Sequence, residues 1–262
     1  LLRKNNCNVT VFERSKYVSE LGAGVQLSPN GIKILRSLGV EKEIVEVASS
    51  AERIILKRGY DDKFIAQISL GSVANKRYGA SFLQIHRSDL ISILYKKACE
   101  LGVNFWFGKE AIVKSTNNNS TDIYCDEKNF NFDVVVGADG VHSLTRETFF
   151  QFAEPKFLNQ VAYRATVSLN QLEDVWRKPE IQIFVGPGSH IVLYPIFAKS
   201  LLNIVLCSDE KNWSSDGWSN IVDPNEIKRR FKNYLPIKNI LNHINSVHKW
   251  GLLGYENGSN WH

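Results

Sequence analysis

Apolar positions in the first part of the chain follow the period of a strand in some segments and of a helix in others. Residues 8–13 form a β-branched run that ends in an acid, which predicts a strand. Ser28 and Pro29 are typical of a helix N-cap and first helical position, and Gly39 predicts the end of that helix. An apolar stripe predicts a longer helix over residues 88–101. Strands that alternate with helices indicate an α/β nucleotide-binding domain.

Several shorter strands are predicted between and after these elements. Residues 51–70 predict two strands joined by a turn at 59–62. Four more strands are predicted at about 103–107, 111–115, 120–125 and 131–136, with a hairpin loop at 116–120. Residues 133–136, D-V-V-V, predict a buried strand that enters a glycine-rich turn, and a helix is predicted to start near Ser143.

The pattern changes from about residue 155 onwards. Strand-like runs separated by turn residues lie at 160–169, 180–185, 190–197 and 201–207. Two helical segments and a last strand follow, at about 224–234, 237–245 and 248–254. This part of the chain therefore predicts a mainly antiparallel sheet, which forms a second domain beside the α/β domain.

Composition excludes several classes of protein. Of the 262 residues, 44% are hydrophobic and 11% are aromatic, which excludes an intrinsically disordered chain. No apolar run approaches the ~18 residues that a membrane-spanning helix needs. The net charge of +5 is mild, so it slightly favours anionic small molecules and does not indicate nucleic acid.

Cysteine and histidine positions indicate neither disulfides nor a metal site. The four cysteines, Cys7, Cys99, Cys125 and Cys207, are scattered without C-x-x-C spacing, which predicts reduced thiols and a cytoplasmic location. The histidines have no metal-ligand spacing with cysteines or acids, so we expect no metal.

Glu13 ends the first predicted strand, where a dinucleotide-binding βαβ unit carries an acid. Such an acid accepts hydrogen bonds from the ribose hydroxyls of an adenosine, about 20 residues after a G-x-G-x-x-G fingerprint. That position falls before residue 1, so we expect the fingerprint in a missing N-terminal segment. The alternative is that Glu13 is a solvated side chain at the end of an ordinary strand.

A second motif, D-V-V-V-G-A-D-G-V-H-S, spans residues 133–143. A strand that enters a G-A-D-G turn places backbone N–H groups and one carboxylate beside a phosphate or ribose. The alternative is a tight strand-to-helix turn closed by an Asx-type cap.

Four motifs occur in one order along the chain. They are V-F-E-R at 11–14, E-L-G-A-G-V-Q-L-S-P-N-G at 20–31, Q-I-H-R-S-D-L at 84–90 and the motif at 133–143. Together they resemble the FAD-dependent aromatic hydroxylases, the single-component flavoprotein monooxygenases. The likeness is greatest to salicylate hydroxylases and 3-hydroxybenzoate 6-hydroxylases. It continues through V-A-Y-R-A-T at 161–166 and V-G-P-G-S-H-I-V-L-Y-P at 185–195, and so covers almost the whole chain.

The resemblance implies an FAD site whose adenosine end involves three residues. Glu13 would bind the ribose, Arg14 would lie beside the adenine, and Ala111 would contact the adenine through its backbone.

The resemblance also implies contacts with the rest of the cofactor. Gly24 would approach the flavin with its backbone, and Arg87 would reach the pyrophosphate, because a planar donor fork suits phosphate oxygens. Asp139 and Gly140 would bind FAD and influence the binding of NADH or NADPH. The alternative for Asp139 is that it only braces Arg87 or the turn.

His190 and Tyr194 are the candidate catalytic residues. The period of two in a strand places both side chains on one face, with Val192 between them. In the family that the chain resembles, the matching residues line the pocket of the aromatic substrate. A neutral His, with Tyr as a relay, suits the withdrawal of a phenolic proton. The alternative is a half-buried strand with one satisfied His and one core Tyr.

The fold that the resemblance implies is α/β (α+β), with a Rossmann-like FAD-binding domain and an inserted β-sheet substrate domain. FAD binding is assigned to 1–50 and 75–155, the substrate sheet to 51–74 and 156–245, and the return to the FAD domain to 246–262. The implied reaction is hydroxylation of a phenolic or aromatic acid by O2 and NADH or NADPH. A homodimer is left open, and no membrane or nucleic-acid partner is expected.

Two parts of the family pattern are absent from this sequence. They are the glycine fingerprint and the later G-D-A-A-H-P-type segment, and the chain also contains no Met. We therefore expect a fragment that lacks both termini of its parent. Two alternatives to the aromatic hydroxylase stay open. One is a related flavin enzyme, such as a ubiquinone-pathway hydroxylase, an epoxidase or a urate-type oxidase, and the other is an inactive truncated remnant.

Overall fold

The computed structural model describes residues 1–18, 23–116, 120–150, 154–213 and 220–255. Its contacts divide the chain into two compact units. The first unit comprises Leu1–Ser19, Tyr95–Leu158 and Leu253–His262, and the second comprises Glu20–Leu94 and Asn159–Leu252. Each unit is therefore built from segments that are distant in the sequence.

The helices and strands follow one another as a mixed α/β chain. In order they are β1 (Thr10–Glu13), β2 (Gly24–Leu27), α1 (Pro29–Leu38), α2 (Glu41–Val47), β3 (Ser49–Ser50), β4 (Arg53–Arg58), β5 (Phe64–Ser69), α3 (Gly71–Tyr78), β6 (Leu83–His86), α4 (Arg87–Glu100), β7 (Asn104–Phe107), β8 (Ile112–Thr116), β9 (Thr121–Cys125), β10 (Lys128–Phe132), α5 (Leu144–Phe150), β11 (Lys156–Ser168), β12 (Glu180–Gly186), β13 (Ser189–Ile196), β14 (Leu201–Asp209), β15 (Asn220–Val222), α6 (Pro224–Arg230), α7 (Lys238–Asn242) and β16 (Val247–Gly254). Within the described part of the chain, every helix is too short or too polar to span a bilayer.

The first unit contains a parallel strand pair and a three-stranded antiparallel sheet. Strands β1 and β7 pair in parallel, and β10, β9 and β8 form the second sheet. Aromatic rings join the two. The Phe12 ring centroid lies 5.4 Å from that of Trp106 and 5.9 Å from that of Phe130. Such tilted and edge-on contacts are the arrangement that aromatic rings prefer.

The second unit contains a small sheet, in the order β2-β6-β3, and a large eight-stranded sheet. Helices α1 and α2 bury Ile32 and Ile44 against Ile85 of the small sheet. Helix α1 ends at Gly39, whose φ of 77° lies in the left-handed region that favours glycine.

The large sheet has the strand order β15-β16-β11-β14-β13-β12-β4-β5. Strands β11, β14, β13 and β12 are successive antiparallel neighbours, whereas β12 and β4 are parallel. One face is covered by the segment that follows α6, where the Phe231 ring lies 6.2 Å from the Tyr163 ring. The opposite face carries His190 and Tyr194.

The predicted mixed α/β fold is confirmed, with antiparallel strands dominating its second half. Helix α1, the hairpin β4–β5, helix α4 and the four long strands of the large sheet lie where the sequence predicts them, with bounds shifted by a few residues. Strands β8 and β9 pair as the predicted hairpin, whose loop residues 117–119 lie outside the described residues.

The predicted strand at 131–136 is wrong. Strand β10 ends at Phe132, and no strand includes the apolar run 133–136. Val134 and Val136 are 75% and 70% exposed. A strand needs a neighbour for its backbone hydrogen bonds, and none of the described strands pairs with this run. Apolar composition alone therefore predicted a burial that the described residues do not provide.

Ser28 is at the predicted N-cap position of α1, but its side chain does not cap the helix. Its hydroxyl contacts the side-chain oxygen of Asn30 and accepts no hydrogen bond from a backbone N–H. The helix starts correctly because Pro29 is compatible with its first turn.

The compact units have different bounds from the predicted domains. Residues 20–50 and 75–94, which the sequence assigns to FAD binding, belong to the unit that contains the large sheet. Part of the reason is that these ranges contact the large sheet: the Gly24 N–H donates to the Asn203 side chain, and Phe82 packs against the buried cluster that contains Ile181 and Tyr194. The assignment of FAD and substrate to particular ranges stays a prediction.

Candidate active site

The strand registers of the large sheet bring five polar side chains to one face. His190 pairs with Cys207, and Tyr194 pairs with Asn203, across β13 and β14. Arg164 pairs with Val205 across β11 and β14, which places it on the same face. Directly opposed residues share a face, and residues two apart along a strand share it too.

Apolar side chains lie between these polar groups. Val205 pairs with Val192 across β14 and β13, and Val192 pairs with Ile183 across β13 and β12. This row separates the His190–Cys207 row from the Tyr194–Asn203 row. We call this area, formed by Val192, Val205 and Ile183 with the polar side chains around it, the polar-rimmed face. Apolar side chains with a few placed polar groups among them are the usual lining of a small-molecule site.

Tyr194 is buried, whereas His190 is half-buried. Burial raises the pKa of the Tyr194 hydroxyl above its usual value, and the positive charge of Arg164 opposes that rise. Burial likewise raises the pKa of the Cys207 thiol, again opposed by Arg164. Tyr194 and Cys207 are therefore neutral at physiological pH, and His190 is the candidate base on this face.

Asn203 connects the polar-rimmed face to strand β2. Its side chain has no exposed surface, and its Oδ1 accepts a hydrogen bond from the Gly24 N–H at 2.6 Å. A Cβ on Gly24 would lie 2.6 Å from Tyr194 Cε2, which requires glycine here. The Asn203 Nδ2 is buried and has no hydrogen-bond partner among the described residues.

Two of the predicted FAD residues lie together in the second unit. Gly24 pairs with His86 across β2 and β6, and the Arg87 N–H donates to the carbonyl of Ala23 at 3.0 Å. Arg87 is exposed and is the first residue of the 14-residue helix α4. A helix N-terminus and a guanidinium both favour a phosphate group.

The predicted adenosine residues lie in the first unit. The Glu13 side chain is half-buried, and its Oε1 accepts a hydrogen bond from the Ser15 N–H at 2.8 Å. The Glu13 carbonyl accepts from the Lys109 N–H at 3.0 Å, which brings β1 to the segment that precedes Ala111. Arg14 is exposed at the end of this strand.

Asp139 stabilises the start of helix α5. Its carboxylate accepts hydrogen bonds from the Ser143 hydroxyl at 2.5 Å and from the Thr145 N–H at 3.0 Å. Burial alone would raise the pKa of Asp139, but these hydrogen bonds outweigh it and hold the pKa below its usual value. Gly140 follows with a φ of 84°, a conformation that favours glycine. These contacts match the alternative in which Asp139 braces the turn, and they leave its predicted FAD role as a prediction.

Arg146 holds the turn that contains Gly140. Its guanidinium donates to the carbonyl of Gly140 at 3.3 Å and to that of Val141 at 2.6 Å, and it lies 3.9 Å from the centre of the Tyr255 ring. The Tyr255 hydroxyl also donates to the Val141 carbonyl. The turn is thus fixed by Arg146, which is close in the sequence, and by Tyr255, which is 114 residues from Val141.

Arg164, Asn203 and Arg146 are the residues that sequence reasoning missed. Arg164 and Asn203 each interrupt an apolar strand, in V-A-Y-R-A-T and L-L-N-I-V-L, and a polar residue inside such a run is the signal that could have identified them. Within the described chain, no three His, Cys, Asp or Glu side chains converge as a metal site.

Comparison with known proteins identifies the class. A model of the FAD binding domain matches residues 1–255. The chain is 27% identical over 256 residues to 3-amino-4-hydroxybenzoate 2-monooxygenase PtnB3 of Streptomyces platensis, an alignment that covers 96% of this chain and 63% of that protein. It is 28% identical over 207 residues to 3-hydroxybenzoate 6-hydroxylase of Polaromonas naphthalenivorans, which covers 78% and 52%. A salicylate hydroxylase–substrate complex is among the solved structures that resemble this chain, with a TM-score of 0.76 at 21% identity. The match covers 95% of this chain and 68% of the salicylate hydroxylase chain.

The two relatives are hydroxybenzoate monooxygenases, and the likeness to the solved structure shows a shared fold. The chain belongs to the FAD binding domain family, whose model matches nearly the whole length of this chain. The chain spans 63% of the length of the Streptomyces relative, and the match alone therefore does not assign that relative's activity to this protein.

Proposed function

We propose that this chain belongs to a monooxygenase that uses FAD, NADH or NADPH, and O2 to hydroxylate a phenolic or aromatic acid. The observation that carries the proposal is the placement of His190 and Tyr194 on one face of the large sheet, on either side of Val192. An apolar floor suits an aromatic ring, and a half-buried imidazole beside it suits proton transfer from a phenol. The similarity to two hydroxybenzoate monooxygenases supports this substrate class.

The residues at the predicted FAD positions fit that cofactor. Arg87, exposed at the N-terminus of α4, would hold the pyrophosphate, and Glu13 would hold the adenosine ribose. Arg14 and Ala111 would lie at the adenine, while Gly140 would present its backbone to the cofactor. When bound, FAD supplies the chemistry that activates O2.

His190 and Tyr194 would control the substrate's proton. A phenol ring becomes more nucleophilic as its proton is withdrawn, and His190 would be the group that accepts this proton. Tyr194 keeps its own proton at neutral pH because burial raises the pKa of its hydroxyl. It can therefore donate a hydrogen bond to the substrate oxygen.

The state of the cysteines supports a cytoplasmic location as part of the same proposal. All four thiols, including those of the exposed Cys7 and Cys99, are free. Exposed free thiols persist where the compartment is reducing.

The test uses the longest reading frame that contains this chain. We expect the purified protein to carry flavin that denaturation releases, and to oxidise NADH or NADPH with formation of a hydroxylated product from a panel of hydroxybenzoates. Benzoate, which lacks the phenolic hydroxyl, is the matched control and should yield no product. A protein without flavin, or one that makes no product from any acid in the panel, would contradict the proposal.

A further inference from the structure

Arg164 places a positive charge on the polar-rimmed face, and no described carboxylate forms an ion pair with it. Other arginines of the second unit pair with carboxylates: Arg53 pairs with Glu180 at 2.5 Å, and Arg230 pairs with Glu210 at 2.8 Å. None of the ion pairs within the described residues includes Arg164. Among the described residues, the charge of Arg164 is therefore not neutralised by an ion pair and is available to an anionic ligand.

The Arg164 guanidinium is oriented by an aromatic ring and leaves a donor unused. Its central carbon lies 5.0 Å from the centre of the Trp250 ring. Its Nε is buried and has no acceptor in the part of the chain that the structure describes. A dry, charged donor without an acceptor is unfavourable, whereas a guanidinium held by a ring keeps its planar fork available for a carboxylate.

A second unused donor lies on the same face. The Nδ2 of Asn203, which is fully buried, lacks a partner among the described residues. Asn203 lies one step before Val205 on the same face of β14, and Val205 is the direct neighbour of Arg164. Both unused groups on this face are therefore donors, which is the polarity that an anion requires.

The spacing suits a ligand that reaches from Arg164 to His190 or Tyr194. Strands β11, β14 and β13 are consecutive, so Arg164 is separated from Val192 by two strand spacings, about 9–10 Å, and His190 and Tyr194 lie one step of the same face to either side of Val192. The apolar Val205 and Val192 lie between them. A benzene ring with a carboxylate at one end and a hydroxyl at the other matches this arrangement, in which apolar side chains lie between the charge of Arg164 and the base His190.

We propose that Arg164, with Asn203 Nδ2 beside it, binds the carboxylate of the aromatic substrate and thereby orients its hydroxyl towards His190 and Tyr194. This inference rests on the proposed function and adds the residue that selects acids over neutral phenols. The charge of Arg164 acts across this face, because it opposes the rise that burial causes in the pKa values of Tyr194 and Cys207.

The experiment compares an acid with its neutral amide. Flavin absorbance or fluorescence of the FAD-loaded protein is titrated with salicylate, 3-hydroxybenzoate and 4-hydroxybenzoate, and with the corresponding hydroxybenzamides. We expect Arg164→Gln to weaken binding of the preferred acid by about 10- to 100-fold, the value of a charge-assisted hydrogen bond, and to leave the amide's affinity unchanged. Arg164→Lys, which keeps the charge and loses the fork, should lie between Arg164→Gln and the wild type.

Arg229→Gln is the matched control. Arg229 is exposed on α6, so the variant removes the same charge without touching the polar-rimmed face. It should bind acid and amide as the wild type does. An equal loss for both ligands in Arg164→Gln would mean that Arg164 only supports the sheet, and would overturn the inference.

Three further outcomes separate this inference from its alternatives. If Arg164→Gln loses FAD but keeps its affinity for the acid, the residue binds a cofactor phosphate and the inference is wrong. If Arg164→Gln binds the acid as tightly as the wild type, the inference fails while the proposed function stands. If the wild type binds neither acids nor amides, both fall together.

Discussion

Gly24 lies against the ring of Tyr194, and the two residues leave no space for a side chain at position 24. A Cβ added to Gly24 would lie 2.6 Å from Tyr194 Cε2, 2.7 Å from its hydroxyl oxygen and 2.9 Å from Asn203 Cγ. The Gly24 N–H is already donated to Asn203. Gly24 therefore has a packing role within the second unit, in addition to the flavin contact that the resemblance implies.

We predict that Gly24→Ala destabilises the second unit by about 1–3 kcal/mol, as overpacking does in a close-packed interior. The Tyr194 ring is 3% exposed and cannot swing into solvent to make room. Denaturant unfolding measures the change. Gly31→Ala is the matched control, because a Cβ at that position of α1 meets no atom within 4 Å and should be neutral or stabilising. Equal stability of the two variants would contradict the close approach of Gly24 and Tyr194.

We predict that Asp139 makes the free energy of unfolding of the first unit depend on pH. Because its pKa is held below the usual value in the folded state, its stabilising contribution is complete above the ordinary carboxyl pKa of about 4. That contribution is lost as the pH falls through the lowered folded value. The free-energy difference between wild type and Asp139→Asn should therefore be constant near neutral pH and shrink below about pH 4.

Thermal unfolding across this pH range measures the Asp139 effect. Asp133→Asn is the control, since Asp133 is an exposed acid in the same segment and its substitution should change stability little. A difference between wild type and Asp139→Asn that is the same at pH 3 and pH 7 would remove the assigned role of the Ser143 and Thr145 hydrogen bonds.

Sequence patterns were sufficient to predict features that depend on a single strand or helix. The shared face of His190 and Tyr194 follows from the period of two in a single strand, and helix α1 follows from Pro29 and Gly39. The approach of Gly24 to Tyr194 depends on how distant segments pack, which no local pattern records. The same holds for Arg164, whose place beside Val205 is set by a register between β11 and β14.

Residues 133–136 show where a local pattern fails to predict the structure. Their composition is that of a buried strand, yet burial depends on what lies beside a segment as well as on its own residues. Val134 and Val136 are exposed because none of the described elements covers them. Ser28 is a smaller case, since the sequence predicts the correct position for a cap but not the rotamer that turns its hydroxyl to Asn30.

We predict that Arg87→Ala weakens retention of FAD. The change removes a charge-assisted contact to the pyrophosphate, which corresponds to a loss of about 1.5–3 kcal/mol. The FAD dissociation constant, measured by flavin fluorescence on the longest available chain, is the readout. Lys96→Ala is the control, because it removes an exposed positive charge from the same helix α4, away from its N-terminus. An FAD affinity that is the same in Arg87→Ala and wild type would exclude Arg87 from the cofactor site.

The last prediction concerns the roles of His190 and Tyr194 in proton transfer. If His190 accepts the phenolic proton, His190→Ala should slow hydroxylation by roughly 10²–10⁴, the usual contribution of a positioned acid–base group. Tyr194→Phe keeps the ring that packs on Gly24 and removes only the hydroxyl, so it separates packing from proton transfer. His243→Ala is the control, since His243 is exposed on the second unit and should leave the reaction unchanged.

The decisive quantity is the amount of product formed per NADH or NADPH consumed, measured with a panel of hydroxybenzoates. His190 lies on the polar-rimmed face and not among the predicted FAD residues, so His190→Ala should keep its flavin. Consumption of NADH or NADPH should then partly survive while product formation falls, because activation of oxygen by the flavin does not itself need the imidazole. Product yield, rather than cofactor oxidation, therefore reports the proton transfer. Wild-type rates and yields in His190→Ala would instead support the alternative in which His190 is an ordinary half-buried residue of a strand.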